Sequence, residues 1–183
     1  SIIQLFTGHL HSVQVARTQP EKLASYEALW ETQRGAPLAL FGIPHEAREK
    51  TYLYIGVPNL LSLLVHGDSN AEVKGFKEFP DTERPPVCLP FVSYHIMIAL
   101  GMLFIAISLA GAYLLLRKKM WDSRWYWVVL LISIPLPYIA NEFGWIGAEV
   151  GRQRWAVYKV LKTVDAASLV VPAGQIMFSL IMF

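Results

Sequence analysis

Apolar and polar stretches alternate along this chain on a long scale, and that alternation predicts its elements. Ser1 to Ala16 starts apolar at Ile2, Ile3, Leu5, Phe6 and Leu10 and turns polar through His9, His11, Ser12 and Gln14, as a helix leaving a membrane would. Residues 17–86 then form a mostly polar loop, punctuated by Pro37, Pro44, Pro58, Pro80, Pro85 and Pro86. Inside it, Thr18-Gln19-Pro20-Glu21 has capping-box spacing, with Thr18 as N-cap and Glu21 at the third helical position, and predicts a surface helix from Gln19 to about Gln33. The apolar patch from Tyr52 to Val65 would span only about 21 Å as a helix, against a hydrocarbon core of about 30 Å, and Pro58 interrupts it. It is expected to lie at the membrane interface or to pack on the membrane domain.

Val87 to Leu116 is an uninterrupted apolar run long enough to cross a bilayer. Arg117, Lys118, Lys119 and Arg124 against Asp122 predict a cytoplasmic link over 117–124, which sets the loop 17–86 outside. A second span covers 125–150, with Trp121, Trp125, Tyr126 and Trp127 as an aromatic belt at its inner end and a bend at Pro135 and Pro137. In 151–169, Val157, Val160, Leu161 and Val164 share one face, which predicts a short interfacial helix over Ala156 to Ala167. Residues 170–183 open a further span that stops after about half the ~20 residues a crossing needs. The start carries no initiator methionine and no leader, so a fragment of a larger protein is expected. The predicted class is all-α: a polytopic transmembrane helix bundle with two full spans, two partial spans and a long extracytoplasmic loop.

Composition agrees with a membrane setting. Apolar residues reach 54% and charged residues only 16%, against about 45–50% (glycine included) and about 25% in soluble domains. A net charge of +2 without a basic run interleaved with aromatics argues against nucleic acid. Cys88 is the single cysteine, which excludes an internal disulfide and a thiolate metal cluster. His45 and His66, lacking metal-motif spacing, read as surface histidines.

The candidate chemistry concentrates between Ser133 and Trp155. Tyr138, Glu142, Trp145, Glu149 and Arg152 recur at spacings of four, three, four and three, so a helix places them on one stripe. Two carboxylates about 10 Å apart along the axis, with an indole between them, are costly in hydrocarbon and mark a functional face toward a bundle interior. A buried structural ion pair is the plainer alternative.

Three segments, GHLHSVQVARTQPEKLASYEALWETQ, RPPVCLPFVSYHIMIALGML and SIPLPYIANEFGWIGAEVGRQRW, together resemble subunit I of the cytochrome bd quinol oxidases. The resemblance runs in order over nearly the whole chain, from the end of the sixth transmembrane helix into the ninth. Its most specific part is similar to the family's GRQPW signature, followed by the KLAxxE element and, more loosely, SYHIM. It implies that Lys22 and Glu27 bind and oxidise quinol, whose two protons a carboxylate and an ammonium can accept or orient. Five residues apart, the pair falls about 140° apart on a helix, a poor ion-pair spacing, and a solvated face is the alternative.

The same resemblance makes Met97 an axial ligand of the low-spin haem b iron, where a thioether raises the potential. Ser93 and Gly101 flank it one turn away and Ser108 continues this small face, which would admit a macrocycle or a neighbouring helix. Glu149 is implied as the ligand of the high-spin haem b iron and Trp145 as the residue between the haems. Arg152 would neutralise Glu149 or haem propionates. Glu142 is left between proton transfer and a partner on another helix. His95 stands where known members carry an arginine near the reduced low-spin haem, and Arg154 replaces the proline of GRQPW. The short loop implies the short-loop subfamily.

As a whole, the resemblance implies part of a terminal respiratory oxidase that oxidises quinol, reduces dioxygen to water and generates a proton gradient. Its cofactors would be a low-spin haem b, a high-spin haem b and haem d or a second haem b. Its partners would be subunit II, a small single-helix subunit, membrane lipid and quinol, in a bacterial or archaeal cytoplasmic (inner) membrane. The fragment alone is expected to be inactive. The rival readings are an ion-coupled transporter using Glu142 and Glu149 in a proline-broken helix, and a non-catalytic membrane scaffold.

Overall fold

The computed structural model describes residues 2–166 and 170–182. Helix α1 (Ile2–Thr18) runs into a short α2 (Pro20–Tyr26), with Pro20 in the first turn, where its missing N–H costs nothing. The capping box does not form: the Thr18 hydroxyl donates back to the Gln14 carbonyl at 2.9 Å, and Gln19 takes the N-cap position. The helix ends at Tyr26 rather than near Gln33, because Ala28 adopts a left-handed φ of 46° and Leu29 turns back to the Ala24 carbonyl.

The rest of the loop 17–86 is not purely helical. Strands β1 (Gln33–Arg34) and β4 (Glu72–Val73) pair antiparallel, and β2 (Leu38–His45) pairs with β3 (Lys50–Val57) in a bulged hairpin from Leu38↔Val57 to His45↔Lys50. The Tyr52 to Val65 patch is thus divided between β3 and the short helix α3 (Leu60–His66) at the Pro58-Asn59 turn. Two apolar clusters form beneath these elements. One gathers Leu23, Leu29, Ala36, Leu61, Val65 and Val73; the other gathers Ala24, Ala28, Ala39, Phe76, Val87 and Phe91. Helix α2 supplies residues to both, so it is the wall between them.

Helix α4 (Cys88–Leu116) is about 43 Å long, enough to cross a bilayer. Its first turn leaves backbone N–H groups unpaired, and the Glu46 carboxylate at the hairpin's end accepts those of Val87 and Cys88 at 2.8 and 2.7 Å. That carboxylate pins the loop over the head of α4. The next apolar stretch, Arg124–Val150, is also long enough to cross. Pro135 and Pro137 divide it into α5 (Arg124–Ser133) and α6 (Leu136–Val150). Gly111 of α4 receives the Tyr126 ring, whose hydroxyl donates to the Ile107 carbonyl at 3.2 Å, and this contact docks α5.

Beyond α6, the expected interfacial helix is a hairpin of β5 (Trp155–Val157) and β6 (Leu161–Lys162), followed by a 3-10 turn at Thr163–Asp165. Lys159 sits at a φ of 55° in its turn, which suits a tight hairpin and not a helix. Ala167, the last residue of that expected helix, lies outside the described residues. Helix α7 (Ala173–Met182) closes the described chain.

Candidate functional site

Helices α1, α2, α4 and α6 enclose a cavity of about 730 Å³, within the range of small-molecule and cofactor sites. His11, Ser12 and Val15 line it from α1; Lys22, Leu23 and Tyr26 from α2; Tyr94 and Met97 from α4. The α6 wall runs from Ala140 to Ala148 and includes Glu142, Gly144 and Trp145. Glycines explain why α4 and α6 approach so closely there. A Cβ on Gly144 would stand 2.8 Å from the Met97 sulfur, and one on Gly147 would lie 3.5 Å from the Ser93 Cβ. Part of the small face of α4 around Met97 is therefore covered by the glycine face of α6, with the thioether left on the cavity wall.

The polar stripe of α6 is split by function of position. Glu142 and Trp145 line the cavity; Trp145 remains 62% exposed and Tyr138 75% exposed. Glu149 does not line it. Its carboxylate is paired with the Arg152 guanidinium, which lies just past the helix end at Gly151.

Lys22 and Glu27 are separated by the fold. Lys22 faces the cavity and donates its ammonium to the Ala148 carbonyl at 3.0 Å. Burial lowers its pKa, as does the charge of Arg152, while Glu149 opposes both. Glu27 instead lies in the loop core, 2% exposed, accepting the Ala39 N–H at 2.9 Å. Burial raises its carboxyl to about 7 against the pull of that hydrogen bond. The Tyr54 phenol is pushed up to about 12 by burial and then by the charge of Glu27.

His95 is committed elsewhere. Its Nδ1 lies 2.8 Å from the Phe91 carbonyl and its Nε2 3.0 Å from the Ala39 carbonyl, with the ring stacked on Phe91. It ties β2 to α4 and is not among the residues lining the cavity. Arg154 is exposed, and its carbonyl accepts the Thr163 N–H at 3.0 Å across the β5–β6 hairpin.

Tyr26 and Tyr94 were not expected at the site. Their rings stack at 4.7 Å with 10° between planes, and the Tyr26 hydroxyl donates to the Gly147 carbonyl at 3.0 Å. Tyr26 lies four residues after Lys22, on the same helical face, and that spacing was the signal available. For Tyr94, whose partners come from α1 and α2, no local pattern pointed to the cavity.

The donor set suits a haem at Met97. The thioether is an established type of axial ligand, it lies on the cavity wall, and glycine stands opposite it. A carboxylate with an arginine partner at Glu149 has suitable chemistry for a second iron, although Glu149 is not among the residues lining this cavity. Among the described residues no group of three or more histidine, cysteine or carboxylate ligands is assembled.

Fold and cavity together define a mostly helical chain with two stretches long and apolar enough to cross a membrane, in which a folded loop borders a cofactor-sized space between the helices. Comparison with known proteins makes this specific. A family model described as cytochrome bd terminal oxidase subunit I matches residues 1–183, and the chain belongs to that family. It is 36% identical to "Cytochrome bd ubiquinol oxidase subunit 1" of Bacillus subtilis, over 97% of this chain and 40% of that protein. It is 27% identical to "Cytochrome bd-II ubiquinol oxidase subunit 1" of Escherichia coli, over 96% of this chain and 47% of that one. The bd oxidase structure from Geobacillus thermodenitrificans superposes with a TM-score of 0.86 at 31% identity, covering 99% of this chain and 41% of that chain. The sequence thus spans less than half the length of these relatives.

Proposed function

We propose that this chain is the cavity-forming part of the haem-bearing subunit of a quinol:dioxygen oxidoreductase in a bacterial cytoplasmic membrane, working with a second subunit. The observation that carries the reading is the meeting of Met97, Trp145, Glu142 and Lys22 on one cavity in a chain of this family. When bound, haem supplies the one-electron chemistry that links quinol oxidation to dioxygen reduction.

The protein's own residues do the rest. Met97 holds the low-spin haem b through its thioether, and Gly144 keeps room for that sulfur. Lys22, with its pKa lowered by burial, lines the cavity that would receive quinol and can orient a hydroxyl. Glu27, poised near neutrality in a buried site, can hold a proton released by quinol once the loop admits it. Glu149, partnered by Arg152, would serve the high-spin haem b, with Trp145 excluding water between the groups. Glu142 gives the cavity a carboxylate able to move a proton. Family membership favours this reading over a transporter or a scaffold.

The test is a dithionite-reduced minus oxidised spectrum of membranes carrying the complete subunit and its partner, wild type beside Met97→Leu. Loss of the low-spin haem b signal alone is expected. An unchanged set of bands would sink the Met97 assignment, and an expressed but haem-free wild type would sink the oxidase reading.

A further inference from the structure

The end of α6 raises a question of backbone pairing that the outer loop answers. A helix leaves its last four carbonyls without intrahelical partners, and their partial negative charge favours a cation. Here the Ala148 carbonyl accepts the Lys22 ammonium, and the Gly147 carbonyl, which already accepts the Gly151 N–H at 2.9 Å, takes the Tyr26 hydroxyl as a second donor, each side-chain bond at 3.0 Å. Both donors stand on one face of α2, in a segment more than 120 residues away in sequence.

Three further features make this a built contact. Tyr94 of α4 stacks on the Tyr26 ring, and the Lys22 ammonium lies 5.7 Å from that ring's centroid. Gly151 permits the approach: a Cβ there would lie 2.8 Å from the Gly147 carbonyl oxygen, 2.9 Å from the Tyr26 ring and 3.3 Å from the Lys22 stem. The gripped carbonyls belong to the two residues immediately before Glu149.

We propose that Lys22 and Tyr26 form a latch fastening the outer loop to the last turn of α6, so that loop position sets the placement of Glu149 and Arg152. In this role both are positioning residues. Because the latch is also part of the cavity wall, a ligand that draws the Lys22 ammonium to itself uncaps Ala148 and loosens the turn. Occupancy of the cavity is thereby communicated to Glu149. The functional weight of that communication rests on the reading of Glu149 given above; the latch itself does not.

The experiment is hydrogen–deuterium exchange of the complete two-subunit protein in lipid nanodiscs, comparing wild type with Tyr26→Phe and Gly151→Ala. Tyr26→Phe keeps the stacked ring and deletes only the donor. Exchange across residues 147–153 is expected to quicken by roughly three- to tenfold in both variants, the size set by a lost hydrogen bond, while α5 is unaffected. Turnover should follow with a fall in kcat larger than any rise in KM for quinol, and with a perturbed high-spin haem band. Exchange within about twofold of wild type in Tyr26→Phe would overturn the latch whatever Gly151→Ala does, because a Cβ at Gly151 also presses on the Gly147 carbonyl. So would a rise in KM with protection of 147–153 intact, since Tyr26 would then be only a ligand contact. If Gly151→Ala does not assemble, Tyr26→Phe decides alone. The exchange readout needs no haem, so a haem-free wild type would end the oxidase reading while the latch still stands or falls on its amides.

Discussion

In the loop 17–86, Leu61 is 2% exposed, and the Ser62 hydroxyl beside it both accepts the Ala36 N–H and donates to the Ala71 carbonyl, each at 2.8 Å. On α5, Leu131 and Ile132 are 67% and 64% exposed, and the hydroxyl of Ser133 is satisfied inside its own helix by the Val129 carbonyl. The loop has a core of its own, in which Leu23, Leu29 and Leu61 are withdrawn from solvent and the Ser62 hydroxyl buried with them finds partners, while its β2–β3 hairpin keeps Leu40, Leu53 and Ile55 more than half exposed. The helices carry apolar side chains outward because their solvent is hydrocarbon. Between them there is no hydrophobic drive, and they meet instead through small residues, Gly111, Gly144 and Gly147. The candidate site lies at the junction of these two regimes, where α2 of the loop closes a cavity between spanning helices.

This contrast can be broken most forcefully at Leu61. Leu61→Ala should lower the opening free energy of the loop by about 2–5 kcal/mol, read from exchange of its amides in the complete complex. A loss under about 1 kcal/mol would mean that the loop has no core of its own. Glu27 sharpens the same contrast through pH. Its folded pKa of about 7 lies above the ordinary 4.5, so the folded loop binds the proton more tightly than the unfolded chain. That stability is full below 4.5 and is lost as pH rises through about 7. Glu27→Gln should abolish the dependence and leave the loop more stable than wild type at about pH 8, by on the order of 3 kcal/mol. A pH-independent wild-type loop would contradict the buried placement. Leu131→Ala stands at the other extreme and should change thermal stability in lipid by no more than about 0.5 kcal/mol. A cost as large as that at Leu61 would show that another helix, not lipid, covers α5.

The pattern that located the long apolar helices was legible because hydrocarbon imposes a simple rule on length and composition; α4 begins one residue after the expected start and ends at the expected Leu116. The break at Pro135 was likewise legible, since a ring without an N–H acts locally. Sequence rules failed where another local arrangement won. The capping box at Thr18 lost to a bond with Gln14 one turn back in α1, and the helix expected from Ala156 gave way to a hairpin around Lys159.

For the candidate site, the sequence by itself determined which residues are candidates: the carboxylates and indole at helical spacing on α6, and the motifs around Lys22 and Met97 that resemble the family's. Only the tertiary structure decided which of them share a cavity. Lys22, Met97, Glu142 and Trp145 meet there, while Glu27 turns into the loop core and His95 bridges two backbone carbonyls. Helical periodicity assigns a residue to a face, but what that face meets depends on the packing of elements far apart in the chain. That packing rests on close approaches at Gly144, Gly147 and Gly151, whose purpose appears only when the opposing side chain is in place.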